Sequence, residues 1–146
     1  MSVHPKKHPV WYETLRSTAG LRLTRQRSEV YRVLLETRDH PTAALVYERV
    51  RKRMPSISLA TIYNCLEALV EKKLVNQVNF DRKPARYCPN LTEHVHLMDE
   101  TTGAVTDITF KNGFCIESVL DLPQDLEISQ VEICIRARRK PRSGRG

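Results

Sequence analysis

Cys88, His94 and His96 stand in the order C-x5-H-x-H. A thiolate and two imidazoles are ligands for zinc or another borderline divalent ion, and such an ion needs a fourth donor. Alternation along a strand places both histidines on one side of it. Asp107 can supply an oxygen from a returning strand, and His40 can supply a third imidazole from a much earlier segment. An ion held by all of these would tie an early part of the chain to a late part, so occupancy would set their relative placement. The same residues admit other chemistry. Cys88 could be oxidised with no metal bound. The Cys88-Pro89 dipeptide could present a thiolate to haem iron, and Cys88 with His94 has the composition of a nucleophile and its base.

Catalysis is otherwise poorly served. The chain has no Gly-rich phosphate loop, no nucleophile elbow and no carboxylate pair set across an evident pocket, so a non-enzyme is expected. The four cysteines, at 65, 88, 115 and 134, form no CxxC pair. Free or metal-bound thiols in a cytoplasmic protein are expected rather than a disulfide framework. Cys65 reads as a small buried hydrophobe, Cys115 and Cys134 as packing residues, and His4 and His8 as surface groups. The start, M-S-V-H-P-K-K-H-P, has no apolar signal core, and no apolar run approaches the ~20 residues that span a bilayer. Neither export nor a membrane partner is expected.

Charge divides the 146 residues unevenly. Residues 1–80 carry fourteen Lys/Arg against seven Asp/Glu, and residues 81–135 carry four against ten. The last eleven residues add six basic groups and no acid. A basic front suits phosphate and an acidic back suits a cation, which implies two modules with different partners.

The elements that must position these groups follow in order. Val10 to Ala19 predicts a first helix, stopped by Gly20. Thr24 caps a second helix to about Glu36, with Val30, Val33 and Leu34 as its buried stripe. Arg38-Asp39-His40-Pro41 breaks the chain. Thr42 caps a third helix to about Arg53, with Val46, Tyr47 and Val50 inward. Ser58 caps a fourth, whose apolar face is Leu59, Ile62, Leu66, Leu69 and Val70. Its other face carries Ala60, Thr61, Tyr63, Asn64 and Glu67, groups able to meet base edges, thymine methyls and phosphates. Leu74–Phe80 and Ala85–Cys88 form a ribbon about the turn Asp81–Pro84. Three helices followed by a two-stranded ribbon is the order of a winged helix-turn-helix, whose last helix reads DNA. Arg22, in the connector after Gly20, can reach a backbone phosphate or minor groove.

Beyond Pro89 the pattern turns to strands. His94–Met98 and Ala104–Phe110 read as a hairpin, Phe114–Leu122 as a short helix, and Glu127–Arg136 as a last strand. So small a sheet buries little core alone, so pairing with a second copy is expected. The expected organisation is α+β: a winged-helix domain over 1–88, an α/β dimerisation and metal-sensing domain over 89–137, and a basic disordered tail over 138–146.

G-L-R-L-T-R-Q-R, His40 before the third helix, S-L-A-T-I-Y-N-C-L, H-V-H and T-G-A-V-T-D follow one another in this chain. In that order they resemble the ferric uptake regulator family of metal-sensing repressors, over roughly Gly20 to Asp107. The resemblance implies a winged helix hinged to an α/β dimerisation domain, and a homodimer that binds an A·T-rich inverted repeat when its metal site is filled. It implies His40, Cys88, His94, His96 and Asp107 as ligands of one divalent ion per chain. Cys at position 88 matches zinc-sensing members, with iron or manganese as the alternatives. It implies Arg22, Thr61, Tyr63 and Asn64 as DNA contacts. Asn64 stands where many members have Arg, and matches a branch that senses haem or iron status. Asp99 and Thr102 replace one CxxC pair of the family and the second is missing beside Cys134, so no four-cysteine structural zinc is expected. Glu93 and Val95 stand at two ligand positions of the family's additional site. The C-terminal helix is expected to be short. A haem, iron-status or peroxide-responsive regulator that uses Cys88 without a stably bound metal is the alternative.

Overall fold

A computed structural model describes residues 8–142 of the chain. His4 and the end of the tail, 143–146, lie outside the described residues. The chain forms two compact units, Met1–Leu91 and Thr92–Gly146.

In the first unit, α1 (Val10–Ser17), α2 (Arg25–Thr37), α3 (Ala43–Val50) and α4 (Leu59–Glu71) precede β1 (Asn76–Val78) and β2 (Arg86–Cys88). Three hydroxyls start three of the helices. Thr24 accepts from the Arg27 amide at 3.2 Å, Thr42 from Leu45 at 3.3 Å, and Ser58 from Thr61 at 3.1 Å. Each satisfies an amide that a first turn leaves without a helical partner. Val30 and Leu34, Val46 and Val50, and Ile62 and Leu66 bring the stripes of α2, α3 and α4 into one core from which water is excluded. β1 and β2 pair antiparallel, Asn76 opposite Cys88 and Val78 opposite Arg86.

Two details differ from expectation. α3 ends at Val50 rather than near Arg53. The amides of Arg53 and Met54 both turn back to the Val50 carbonyl. Pro55 disfavours helical backbone at the residue before it, so the segment closes in turns. On α4, Leu59 is exposed, and Cys65 joins Ile62, Leu66 and Leu69 on the buried face. Leu59 is the first helical residue and stays outside the core that Ile57 and Ile62 join.

The second unit holds β3 (Val95–Asp99), β4 (Val105–Ile108) and β5 (Cys134–Ala137) in the order β4-β3-β5. β3 pairs antiparallel with β4 and parallel with β5. Gly103, at φ 74°, takes the left-handed position that closes the β3–β4 turn. Asp99 Oδ1 accepts the Thr101 and Thr102 amides across that turn, at 2.8 and 3.3 Å. The Thr101 bond is the largest influence holding that carboxyl below its usual range.

Here the expectations need more correction. No α-helix spans Phe114–Leu122; a short 3-10 turn, Ile116–Val119, lies within it and another, Lys111–Gly113, precedes it. No α-helix forms further on among the described residues, so the expected short C-terminal helix is absent there. The last strand is Cys134–Ala137, not Glu127–Arg136. Cys115 and Cys134 are exposed rather than packed. Only Val95, Met98 and Val105 are buried apolar residues of this unit among those described, while Phe114, Val119, Leu126 and Ile135 stay exposed. Among the described residues no helix is long and apolar enough to cross a membrane.

Leu66→Ala, at a fully buried site in α4, should destabilise the first unit by about 2–5 kcal/mol. Tyr63→Ala, on the exposed face of the same helix, should stay within about 0.5 kcal/mol of the parent. Chemical denaturation of both variants checks the assigned faces.

Candidate functional site

A sharp reversal joins α2 to α3, with Arg38 and Asp39 exposed and His40 buried. Arg38 and His40 both adopt left-handed backbone, φ 46° and 55°. Neither is glycine, so the surroundings must hold this turn. Asp39 provides one hold. Its carboxylate meets the Arg49 guanidinium at 2.6 and 2.9 Å, and Arg49 also donates to the Thr37 hydroxyl at 3.0 Å. The Arg49 bond is the main reason the Asp39 carboxyl falls to about 2. β2 provides the other hold. The Tyr87 amide donates to the Pro41 carbonyl at 3.0 Å, Arg86 Nη1 donates to the His40 carbonyl at 3.1 Å, and Thr42 bridges to Arg86. This lays Cys88 beside the reversal. Cys88 is 1% exposed and His40 3%, and their ligand atoms lie within 4.8 Å of one another.

In the second unit the β3–β4 register sets His96 directly opposite Asp107. His94 precedes β3 by one residue, and its ring stands edge-on to that of His96 with centroids 4.5 Å apart. His94 Nδ1 lies 2.5 Å from the Thr92 carbonyl. A carbonyl oxygen can only accept, so Nδ1 carries the proton, and in the neutral ring Nε2 keeps the lone pair. That Nε2 lies 3.0 Å from His96 Nε2. Asp107 Oδ1 is 3.4 Å from the first and 3.5 Å from the second. Zinc bonds of 2.0–2.1 Å in a tetrahedron give ligand-to-ligand edges of about 3.3–3.4 Å. The three atoms therefore have nearly the dimensions of one face of such a polyhedron. The donor set fits a borderline divalent ion.

The sequence named all five of these residues, and they fall into two sets, His40 with Cys88 and His94 with His96 and Asp107. It missed the groups that hold them. Thr92 acts through its backbone carbonyl, which side-chain patterns do not reveal. Arg49 and Asp39 are ten residues apart, and only the fold shows that they meet. Cys65 is buried as expected, with burial raising its thiol pKa. His8 is exposed and stacks on Tyr12.

The four residues expected at DNA all belong to the first unit. Tyr63 and Asn64 are exposed on α4. Thr61 is half-buried, its hydroxyl 2.9 Å from that of Ser58. Arg22 is exposed, and its carbonyl accepts from Arg27 Nη1 at 2.6 Å, which fixes the backbone from which its side chain departs.

Residues 18–132 match the family model of the Ferric uptake regulator family. The chain belongs to that family. Its members are metal-responsive transcriptional regulators that bind DNA and work as dimers. Among curated relatives, the peroxide-responsive repressor PerR of Staphylococcus epidermidis is 29% identical over 76% of this chain and 74% of its own. PerR of Staphylococcus aureus strain Mu50 is 30% identical over 76% and 75%. Among solved structures, the Campylobacter jejuni peroxide stress regulator aligns with a TM-score of 0.64 at 27% identity, covering 80% of this chain and 87% of that one. The Pseudomonas aeruginosa ferric uptake regulator with manganese aligns with a TM-score of 0.71 at 24% identity, covering 91% and 100%. The second likeness bears on the fold alone.

Brief alkylation of the native protein should label exposed Cys115 and spare buried Cys65, whose thiol pKa is raised by burial. Peptide mass mapping gives the result. Labelling of Cys65 as fast as Cys115 would contradict its place on the buried face of α4.

Proposed function

We propose that this chain is a dimeric, metal-dependent DNA-binding repressor in which one divalent ion per chain is shared by the two sets of ligands. The observation that carries the reading is the triangle of His94 Nε2, His96 Nε2 and Asp107 Oδ1, with sides of 3.0, 3.4 and 3.5 Å. Three donors leave at least one coordination position open. Cys88 and His40, buried together in the first unit, are the ligands proposed to complete it. A thiolate among imidazoles favours zinc over manganese, whose chemistry prefers oxygen, and iron is the other candidate. Binding would then fix the DNA-reading unit against the sensing unit.

Arg22, Thr61, Tyr63 and Asn64 would contact an A·T-rich inverted repeat, with Arg22 entering the minor groove and Tyr63 against thymine methyls. Two such helices in a dimer would lie about 34 Å apart, or a multiple of it, to enter successive grooves on one face. The exposed apolar residues of the second unit, Phe114, Val119 and Ile135 among them, supply the surface a second copy would cover. The winged-helix unit is proposed as the reader, and the second unit as the part that senses and pairs.

A second reading has a specific observation behind it. The relatives at 29% and 30% identity are peroxide-responsive repressors. On that reading peroxide oxidises Cys88, with no metal stably bound, and the oxidised protein releases the operator.

Metal-free protein should bind operator duplex at least tenfold more weakly than zinc-loaded protein in a mobility-shift titration. Cys88→Ser and Asp107→Ala should each lower zinc affinity tenfold or more. Equal operator affinity with and without chelator would defeat metal control. Metal-free protein that binds fully until peroxide is added would favour the second reading.

A further inference from the structure

The C-terminal segment stands apart in charge from the unit that bears it. Residues 92–135 carry nine Asp/Glu and a single Lys, whereas residues 136–146 carry six Lys/Arg and no acid. The root of this segment is firmly held. β5 ends at Ala137, paired with Asp99, and the Ala137 carbonyl accepts the Glu100 amide at 2.9 Å. Beyond that root the contacts become side-chain ion pairs. Arg138 meets Glu100 at 3.1 Å and Arg139 meets Asp99 at 3.6 Å, with both arginines 83% exposed. Exposed pairs of this kind contribute little, and salt or a competing anion replaces them readily. The Asp99 pair, made through Oδ2 at 3.6 Å, is the longer of the two.

We infer that residues 138–142 form a phosphate-binding arm, parked on the Asp99–Glu100 turn in the free protein and transferred to the DNA backbone in the complex. Resting on the DNA-binding reading, this adds a contact outside the winged helix. A polyanion presents one charge per ~1.7 Å of duplex, far denser than two carboxylates on a turn. Five residues from a fixed root can extend about 17 Å, enough to reach more than one phosphate. Such contacts carry no sequence information; they add affinity and salt dependence and hold the protein in register. The arm also offsets the repulsion that an acidic unit would otherwise meet beside DNA.

The test compares the full chain, a chain ending at Ala137, and a full-length Arg138→Gln/Arg139→Gln/Lys140→Gln variant. Each is titrated, metal-loaded, against operator and random duplex over a range of salt. Both altered chains should lose tenfold or more in affinity for each duplex, with the log–log salt slope reduced by about 2 or more per chain. Glu100→Gln, which frees Arg138, should tighten binding severalfold at low salt. The triple variant keeps the chain length, so a folding defect in the truncation cannot imitate the result. Unchanged slopes in both altered chains, with operator still bound, would overturn the arm and leave the winged-helix reading intact. A full chain that binds no duplex would overturn both. In a parallel arm, vesicles containing phosphatidylserine are used as probe. Vesicle binding lost on truncation, with an unchanged DNA slope, would mean the segment faces lipid and would also overturn the inference.

Discussion

Two imidazole nitrogens 3.0 Å apart, with a carboxylate oxygen 3.4 and 3.5 Å away, bring three ligand atoms to one point. The Thr92 carbonyl fixes the His94 tautomer so that a lone pair faces this point. A proton between the rings would relieve the contact at one edge only. A divalent ion relieves all three edges at once, because each atom becomes its ligand. The β3–β4 register, which sets His96 across from Asp107, has its clearest purpose in making this triangle.

The first unit contributes differently. His40 sits in a left-handed turn that helix propensity would not select. The Asp39–Arg49 pair and the backbone of β2 hold it there. The wing does more than close the DNA-binding unit, since it carries Cys88 to the base of the turn that bears His40. On the proposed reading, the hydrogen bonds that attach the wing to the α2–α3 connector decide whether a thiolate and an imidazole arrive together. α4 presents its polar face independently of this arrangement, because its cap and its core residues suffice to form it. Metal control would then act on where that face is held rather than on whether it exists.

Much of this was legible in the residues, unevenly along the chain. Thr24, Thr42 and Ser58 marked the helix starts because capping is local and depends on hydroxyl geometry. Ile62, Leu66 and Leu69 marked the buried face of α4 because a helix repeats in sequence. The five ligand candidates were readable from spacing together with family resemblance. The second unit was less legible. Phe114–Leu122 has the apolar content of a helix, yet the chain offers that segment no core and no side-chain cap. A short helix without such support forms poorly, and turns result. Cys115 and Cys134 were misplaced for the same reason: hydrophobic character indicates burial only where a second layer exists. The Thr92 carbonyl and the Asp39–Arg49 pair left no sequence signal, since one belongs to backbone and the other to tertiary contact.

The central claim is that one ion draws ligands from both sets, and a sulfur ligand that disappears with Cys88 distinguishes it from an arrangement confined to the second unit, whose own thiols are Cys115 and Cys134. X-ray absorption at the zinc edge of protein loaded with one equivalent tests this most directly. The account predicts one sulfur scatterer at about 2.3 Å beside nitrogen or oxygen at about 2.0–2.1 Å, with the sulfur lost in Cys88→Ser. A shell of nitrogen and oxygen alone in the parent protein would contradict it.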